Sequence, residues 1–332
     1  MHESSPVFTQ LDDRPMAHCA TLSALPDGTL LCAWFGGAYE TSPDVAILAA
    51  WRPPGADRWS DPVVIADVPG CSMGQPVFLP RPDGELWLFF DVIMERDWTS
   101  AVPHWQRSRD GGLTWEPPAR LLDRPGLMFR SKPLVLDGRI ILPVYDERTW
   151  QSCMMLSDDG GQTWRLTAPM VTPSGNIHPC VVQLSDGHLL AYLRTGGAGG
   201  VIWRAESADG GETWSMPTPT DIPNPNSGID LIRLASGRLM LAFNDSDRLR
   251  TPLCVALADE DEQWRWKRTI EDSLAEYSYP TLLQTGEAIH LVYTARREHI
   301  HYARLDEAWL LEGKVSGELA YQGRHRPAAD TV

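Results

Sequence analysis

The sequence repeats an eight-residue motif, and this repeat restricts the possible folds more than any other feature of the chain. The motif has the form S-x-D-G-G-x-T-W and occurs at residues 108–115, 157–164 and 207–214. Its Ser and Asp side chains can bond the local backbone, its glycines allow positive φ, and its Thr and Trp resume a strand. Each copy therefore predicts a β-hairpin turn, and weaker copies stand at 55–60 and 259–264. A period of about 50 residues is typical of propellers.

A second set of turns recurs with the same period and gives the number of units. Turns of the Asp-Gly type separate apolar strands at residues 27, 83, 137, 186, 236 and 285. Each unit comprises strand A, this turn, strand B, a variable loop, strand C, the acidic turn and strand D, which is one propeller blade. We predict an all-β, six-bladed β-propeller of the sialidase-like type, with four-stranded antiparallel blades in a single domain over residues 1–332. The blades are expected to begin near residues 18, 75, 131, 178, 228 and 277.

The last unit lacks the acidic turn, so its fourth strand must come from elsewhere in the chain. Residues 306–311 look more helical than extended, whereas residues 6–10 form an unassigned strand before the first blade. Because unpaired strand edges favour aggregation, we expect strand 6–10 to complete the last blade and close the ring.

Composition excludes several classes of partner. The formal net charge of −15 opposes nonspecific binding to nucleic acids or anionic membranes, and no run of 18 apolar residues occurs. The six cysteines are scattered, which favours reduced core thiols over disulfides or a zinc site. Motifs for a metal, a nucleotide or another cofactor are absent, so none is predicted. Without a signal-like N-terminus, we expect a cytoplasmic protein unless a leader was removed; the sequence predicts no oligomeric state.

The chain order predicts where a ligand site lies. If the strands of each blade alternate in direction, both kinds of turn share one face, and the B-to-C loops gather on the other with the first residues of every strand A. Polar side chains from all six units converge there, which favours a site over scattered solvated residues. Candidates at the strand A starts are His18, Gln75, Lys132, His178, Tyr277 and Tyr279. Candidates in the loops are Glu40, Asp44, Glu147, Arg194, Asn244 and Arg250.

The acidic turns, the six units and the strand order resemble the sialidase (neuraminidase) superfamily, specifically bacterial sialidase-like proteins with BNR repeats, or Asp boxes. The resemblance covers nearly the whole chain. It implies a carbohydrate substrate, a Tyr nucleophile assisted by Glu, an acid/base Asp in the first B-to-C loop, and an arginine triad for the substrate carboxylate. The Asp boxes lie opposite the active site in this family and also occur in other propellers. They therefore indicate the fold but do not identify the reaction.

The resemblance assigns catalytic roles to specific residues. Tyr277 stands where the family's Tyr-Ser begins the last blade, and Tyr279 is the alternative because alternate strand residues point the same way. Asp44 or Glu40 occupies the acid/base loop, and we favour Asp44 because it closely precedes strand C. The Glu partner of the nucleophile aligns with Gln183, which leaves Glu147 as a replacement.

The arginine triad matches less completely. His18 stands where the family has its first arginine, and Arg14, four residues earlier, is a substitute in a different register. Arg194 matches the second arginine and Arg250 the third. The remaining predicted substrate contacts are Gln75, Lys132, His178, Asn244 and Tyr279.

These residues predict an anionic sugar as the ligand, because guanidinium groups suit carboxylates and a basic mouth opposes the charge of the whole chain. Our first hypothesis is an exo-acting glycoside hydrolase, with little turnover of ordinary α-sialosides because His18 replaces an arginine. The second is a polysaccharide lyase in which His18 or His178, with Tyr277, removes a proton beside a uronate carboxylate. The third is a carbohydrate-binding propeller without turnover.

Overall fold

Each copy of the motif turns between the third and fourth strands of a blade in the computed structural model, which describes residues 3–313 and 321–323. In the second blade, Ser108 Oγ donates to Asp110 Oδ1 (2.8 Å) and accepts the N–H of Gly112 (2.8 Å). Asp110 also accepts the N–H and hydroxyl of Thr114, while the Trp115 indole donates to Gly112 O (2.8 Å). The same bonds recur in the other two copies. The predicted hairpin turns are confirmed.

Six antiparallel sheets form the ring, which confirms the six-bladed all-β propeller. The N-terminal strand is β1 (Glu3–Pro6), and the first blade contains β2 (Met16–Ala24), β3 (Leu30–Gly37), β4 (Ala46–Arg52) and β5 (Val63–Ala66). The second contains β6 (Ser72–Pro80), β7 (Leu86–Ile93), β8 (Ala101–Ser108) and β9 (Ala119–Arg120), with a 3-10 turn at Trp98–Ser100. The third contains β10 (Leu127–Phe129), β11 (Leu134–Leu136), β12 (Arg139–Asp146), β13 (Gln151–Ser157) and β14 (Arg165–Leu166).

The other three blades follow the same order. The fourth contains β15 (Asn176–Gln183), β16 (Leu189–Thr195), β17 (Gly200–Ser207) and β18 (Thr218–Asn224). The fifth contains β19 (Asp230–Arg233), β20 (Leu239–Asn244), β21 (Leu253–Ala258) and β22 (Gln263–Glu271). The sixth contains β23 (Tyr277–Thr285), β24 (Ala288–Ala295) and β25 (His299–Asp306), and β1 completes it.

The N-terminal strand closes the ring, as predicted, but it covers other residues. The strand that pairs with β25 is β1, residues 3–6, instead of residues 6–10. After Pro6, Val7 still donates to Ile300 O (2.8 Å), and the chain then turns inward. Phe8 stacks on Trp34 with ring centroids 4.6 Å apart, so its side chain fills the core between the last and first blades. Burial of these apolar side chains ends the pairing early.

Two elements decorate the outer edge of the ring. The predicted helix is confirmed as α1 (Glu307–Leu311), capped by Asp306 Oδ1, which accepts the N–H of Trp309 (2.7 Å). A fifth strand in the fifth blade, β26 (Tyr321–Gln322), pairs with β22 and was not predicted.

The inner strands of four blades carry a β-bulge near their first residues. The pairing register shifts within β2, β6, β15 and β23. Each shift leaves one residue with a positive φ: Cys19 (58°), Gln75 (50°), His178 (54°) and Tyr279 (53°). Because a bulge inserts one unpaired residue, it changes which side chains face the central channel.

The apolar side chains pack between neighbouring blades in clusters that run around the ring. All six cysteines are free thiols, and only Cys71 among them is partly exposed. Over the described ranges, no helix has the length and apolar character needed to cross a membrane.

Candidate functional site

One end of the central channel opens into a cavity of about 190 Å³, and this cavity is the candidate site. Its walls are formed by His18, Phe35, Glu40, Gln75, Trp98, Tyr145, Glu147, Trp150, Ile177, His178, Arg194, Arg250, Tyr279 and Arg297. Strand register places it opposite the acidic turns: in β7, Leu86 pairs with Ser108 of the motif, whereas Ile93, at the other end, pairs with Ala101. The expected separation of the two faces is therefore present.

The phenol of Tyr279 lies among guanidinium groups. Arg194 Nη1 donates to Tyr279 Oη (2.9 Å), and the carbon atoms Cζ of Arg130, Arg194 and Arg250 lie 5.4, 5.6 and 5.5 Å from the ring centroid. Arg194 Nε also donates to Asn226 Oδ1 (2.9 Å), which fixes the plane of the guanidinium. Within the described ranges, Arg194 forms no ion pair, so its charge is available to an anion in the cavity.

A third cavity arginine, Arg297, is shared between two carboxylates. Its Nη1 pairs with Glu40, and its Nε donates to Glu276 Oε2 (3.0 Å). Glu276 also pairs with Arg250 Nη1 (2.8 Å). Burial alone would raise the pKa of Glu276, but the neighbouring Arg250 and Arg297 lower it, so this carboxylate holds both arginines at the cavity wall.

Two buried histidines flank Tyr279. The imidazole centroids of His18 and His178 lie 4.4 and 5.5 Å from the centroid of its ring. Burial lowers the pKa of both imidazoles well below the ordinary value, and the nearby arginines lower it further. Both side chains are therefore neutral at physiological pH.

The neutral histidines differ in their hydrogen bonds. Arg194 Nη1 lies 3.2 Å from His178 Nδ1, and since a guanidinium only donates, this nitrogen accepts and the proton resides on Nε2. His18 Nδ1 lies 3.1 Å from Thr294 Oγ1, while its Nε2 is buried without a partner among the described residues.

Glu147 is the cavity carboxyl that exchanges a proton near neutral pH. It follows β12 at the third B-to-C turn, where its backbone N–H donates to Gly126 O (2.7 Å). Burial raises its pKa to about 7, although Arg194 acts in the opposite direction. A carboxyl with this pKa can donate a proton and later accept one.

Two tryptophans, Trp98 and Trp150, also line the cavity. Trp98 and Trp150 both pack on the small apolar cluster that includes Tyr145 and Ile177. Trp150 has φ of 52°, a conformation uncommon for bulky residues, and hydrogen bonds hold its backbone on both sides, to Asp146 O and from Asn176 N (2.8 Å each). The cavity therefore offers aromatic surfaces as well as charged groups.

Several predicted site residues line the cavity together: His18, Glu40, Gln75, Glu147, His178, Arg194, Arg250 and Tyr279. Gln75 also orients the neighbouring Tyr145, because its Nε2 donates to Tyr145 Oη (2.5 Å).

The structure does not bring Tyr277 to the cavity. Its side chain is 6 % exposed, packs in the core of the last two blades, and bonds Ser273 Oγ through its hydroxyl (2.6 Å). The reason is the bulge at Tyr279, which breaks the strict alternation along β23, so the side chains of Tyr277 and Tyr279 do not face the same way.

Asp44 and Arg14 also lie outside the cavity walls. Asp44 folds back on its own loop, where it accepts the Ala38 N–H (2.9 Å) and the Ser42 hydroxyl. Arg14 Nη1 donates to the backbone oxygens of Asp44 (2.6 Å) and Gly36 (3.2 Å). Both side chains shape the first B-to-C loop, and Glu40 is the loop carboxylate that faces the cavity.

Lys132 and Asn244 are not among the cavity walls and instead hold the framework around it. Lys132 forms an ion pair with Asp230, deeper in the channel. Asn244 Nδ2 donates to Tyr277 O (2.8 Å) and so fixes the start of β23.

Tyr145 was not predicted to line the cavity, whereas Arg297, Trp98 and Trp150 lie in B-to-C loops, which the sequence places on this face of the ring. Arg297 had a signal: it follows strand B of the last blade, as Arg194 ends strand B of the fourth. In the described part of the chain, no group of three or more His, Cys, Asp or Glu side chains is arranged to hold a metal ion.

Comparisons with known proteins agree with this architecture. The BNR repeat-like domain matches residues 28–291. The intramolecular trans-sialidase from Ruminococcus gnavus, solved with oseltamivir carboxylate, aligns with a TM-score of 0.78 at 16% identity, over 94% of this chain and 99% of that one. A Dyadobacter fermentans protein of unknown function aligns with a TM-score of 0.75 at 18% identity, over 92% and 98%. Trypanosoma rangeli sialidase aligns with a TM-score of 0.74 at 13% identity, over 94% and 60%.

No curated protein sequence matches the chain significantly. The chain belongs to the BNR repeat-like domain family, and its propeller has the sialidase-like fold. At these identities, the structural likeness concerns the fold.

Proposed function

We propose that this protein is an exo-acting glycoside hydrolase for a terminal sugar that carries a carboxylate, with Tyr279 as nucleophile and Glu147 as proton donor. The observation that carries the proposal is the 2.9 Å contact between Arg194 Nη1 and Tyr279 Oη. A guanidinium that donates to a phenol oxygen stabilises the negative charge that develops there when the proton leaves. The same arginine has no carboxylate partner in the described ranges, so it can also bind the substrate anion.

The first step transfers the sugar to the enzyme. Tyr279 Oη attacks the anomeric carbon, its proton passes to the neutral imidazole of His18, and the glycosidic bond breaks. His18 suits this role because its ring is neutral and lies 4.4 Å from the phenol ring, centroid to centroid, whereas His178 Nδ1 already accepts from Arg194. Glu147 gives its proton to the departing oxygen.

The second step releases the sugar. Ionised Glu147 takes a proton from water, and the water oxygen attacks the anomeric carbon. The bond between that carbon and Tyr279 Oη breaks, and the phenol oxygen recovers its proton from His18. Because its pKa is about 7, Glu147 can donate a proton in the first step and accept one in the second.

The substrate we propose is an anionic sugar other than an ordinary α-sialoside. Arg297 brings a third guanidinium to the cavity, but Glu40 and Glu276 already share its charge. A hydrogen bond to a charged group contributes about 1.5–3 kcal/mol, so a partly neutralised arginine in place of a free one costs roughly one to two decades of rate.

A uronate-specific lyase is the second candidate, and the two neutral imidazoles beside Tyr279 favour it. Either a neutral histidine or a tyrosine can remove a proton next to a carboxylate that arginines neutralise. In that reaction the C–O bond breaks by elimination and leaves an unsaturated uronate, with no water consumed.

One panel distinguishes these functions. Chromogenic glycosides of anionic sugars and uronate oligosaccharides are incubated with the protein and read for released aglycone and for the ultraviolet absorbance of an unsaturated product. Release of aglycone that disappears in Tyr279→Phe and persists in Tyr277→Phe supports the hydrolase. New absorbance without hydrolysis supports the lyase, and ligand binding without any product contradicts both and favours a binding propeller.

A further inference from the structure

The guanidinium of Arg130 spans the central channel beneath the site. It follows β10, where the inner strand of the third blade is interrupted before β11. Its Nη2 donates to Pro280 O (2.9 Å), and its Nη1 contacts Thr281 Oγ1 (3.3 Å), both in the sixth blade. Since the third and sixth blades face each other across a six-bladed ring, Arg130 ties opposite sides of the propeller together.

Arg130 is buried without a countercharge. The residue is 4 % exposed, and over the described ranges no carboxylate lies within ion-pair distance of it. Its Nε is buried and has no partner there. Asp91 accepts the N–H of the preceding residue, Phe129, but burial raises the pKa of Asp91 well above its ordinary value, so this carboxyl keeps its proton. A buried, unpaired cation costs stability, which argues for a role outside folding.

The two acceptors of Arg130 directly follow Tyr279. Pro280 lies within the bulge, and Thr281 is the residue at which the pairing of β23 with β24 resumes. Thr281 Oγ1 also donates to Ala20 O in the first blade (2.8 Å), so the bulge is anchored from both sides. The guanidinium carbon itself lies 5.4 Å from the centroid of the Tyr279 ring, on the buried side of the phenol.

We propose that Arg130 is a positioning residue for Tyr279: it fixes the bulge that turns the phenol into the cavity and places a permanent positive charge beneath the ring. The role in turnover rests on the proposed function, whereas the structural and electrostatic role does not. Because the guanidinium is held by the backbone, its charge is preorganised and needs no rearrangement when the phenol oxygen becomes negative.

The neutral histidines give independent support. Burial is the largest cause of the lowered pKa of His18 and His178, and Arg130 is among the charges that lower both further. The other cations that act on these imidazoles are Arg194, Arg250 and, for His18, Arg297. The cavity carboxyls are Glu40 and Glu147, with Glu276 behind Arg250 and Arg297.

The test compares Arg130→Met with a matched control, Lys132→Met. Lys132 lies in the same gap between β10 and β11 and forms an ion pair with Asp230 of the fifth blade. Asp230 in turn accepts the N–H of Leu282 in the sixth blade (2.6 Å). The readout is the titration of the imidazole resonances by NMR, which needs no substrate. Loss of the Arg130 charge makes imidazole protonation easier, so we expect the midpoints of His18 and His178 to rise by about one pH unit, with no change in Lys132→Met. Unchanged midpoints in Arg130→Met, or an equal shift in the control, would overturn the electrostatic role.

A second variant separates charge from geometry. Arg130→Lys keeps the charge but offers a single nitrogen instead of a fork, so we expect the imidazole midpoints to stay while the bulge loosens. On a substrate found with the panel, both Arg130 variants should lower kcat, by about 100-fold for Met and less for Lys, with KM within about threefold. If Arg130→Met does not fold, Arg130→Lys carries the test, and unchanged kcat in it contradicts the positioning role. If the imidazole midpoints shift in Arg130→Met but no compound of the panel is turned over, the proposed hydrolase function is contradicted and the electrostatic role of Arg130 is supported.

Discussion

The hydroxyl of Tyr279 accepts a hydrogen bond from Arg194 Nη1 at 2.9 Å, across the gap between the sixth and fourth blades. The same nitrogen lies 3.2 Å from His178 Nδ1. One guanidinium therefore fixes the orientation of the phenol and the tautomer of the imidazole, and it supplies the positive charge against which the proposed nucleophile reacts.

Replacing Tyr279 and Tyr277 by Phe tests which tyrosine reacts. Tyr279→Phe removes the proposed nucleophile, and we expect kcat to fall by at least about 1,000-fold. Tyr277→Phe removes only the bond to Ser273 Oγ, so it should cost about 1 kcal/mol of unfolding free energy and leave kcat nearly unchanged. Steady-state kinetics and denaturant unfolding of both variants check this, and a reversed order of effects would favour Tyr277.

The ionisation of Glu147 predicts the pH dependence of turnover. Its pKa is about 7, so the fraction that can donate a proton falls as pH rises through 7. We expect activity to decline on the alkaline side with a midpoint near this value. Glu147→Gln should lower kcat by about 100-fold or more for poor leaving groups, and less for activated aryl groups, which need little protonation. An unchanged alkaline limb in this variant would exclude Glu147 as the donor.

Asp44 and Glu40 are expected to behave differently although they share a loop. Burial works against the charge of Asp44, but the bonds from Ser42 and Ala38 lower its pKa, so its contribution to stability is present at neutral pH and is lost as pH falls through its pKa. After solvent screening of this exposed carboxylate, Asp44→Asn should therefore cost at most about 1 kcal/mol at neutral pH, less at acid pH, and retain turnover.

Glu40→Gln is the companion variant in the cavity. It removes one partner of Arg297, leaving Glu276 as the other. The freed charge should tighten the binding of an anionic sugar, seen as a lower Kd by calorimetry, with little loss of stability. Weaker anion binding would show that Arg297 does not contact the ligand.

The acidic turns are expected to act on stability alone. Asp209 accepts the N–H and hydroxyl of Thr213 and the hydroxyl of Ser207, and these bonds lower its pKa to about 2. Asp209→Ala should lower the unfolding free energy by roughly 1 kcal/mol after solvent screening, with kcat and KM unchanged, because the turn lies on the face opposite the cavity. Since the pKa is depressed, this difference should shrink as pH falls toward 2. Thermal unfolding at several pH values measures it.

The blade architecture was predictable because short local sequence motifs determine its turns. Each acidic turn and each Asp-Gly turn satisfies its own backbone within a few residues, so the sequence pattern reports the structure directly. The closure by the N-terminal strand followed from the missing acidic turn of the last unit. Its shift to residues 3–6 did not, because Phe8 is withdrawn by stacking on Trp34, a contact between the last and first blades that no local pattern indicates.

The site was less predictable, because its geometry depends on the bulges. The family resemblance favoured Tyr277, and strict alternation would have turned both tyrosines the same way, whereas the bulge separates them and leaves Tyr279 at the cavity. A signal was present: Gln75, His178 and Tyr279 each precede a proline, which removes a ladder donor. Arg130 reaches the site from the opposite blade, and no local pattern indicates such a contact.

The most direct test of the account is to trap the glycosyl enzyme and locate the bond. Fluorinated glycosyl fluorides with a carboxylate, chosen after the sugar that the panel identifies, slow the second step more than the first and let the intermediate accumulate. The protein is then denatured, digested and sequenced by mass spectrometry. We predict a sugar adduct on the hydroxyl of Tyr279 in the unmodified protein and in Tyr277→Phe, and none in Tyr279→Phe. An adduct on another residue, or turnover that persists in Tyr279→Phe, would contradict the assignment of Tyr279 as the nucleophile.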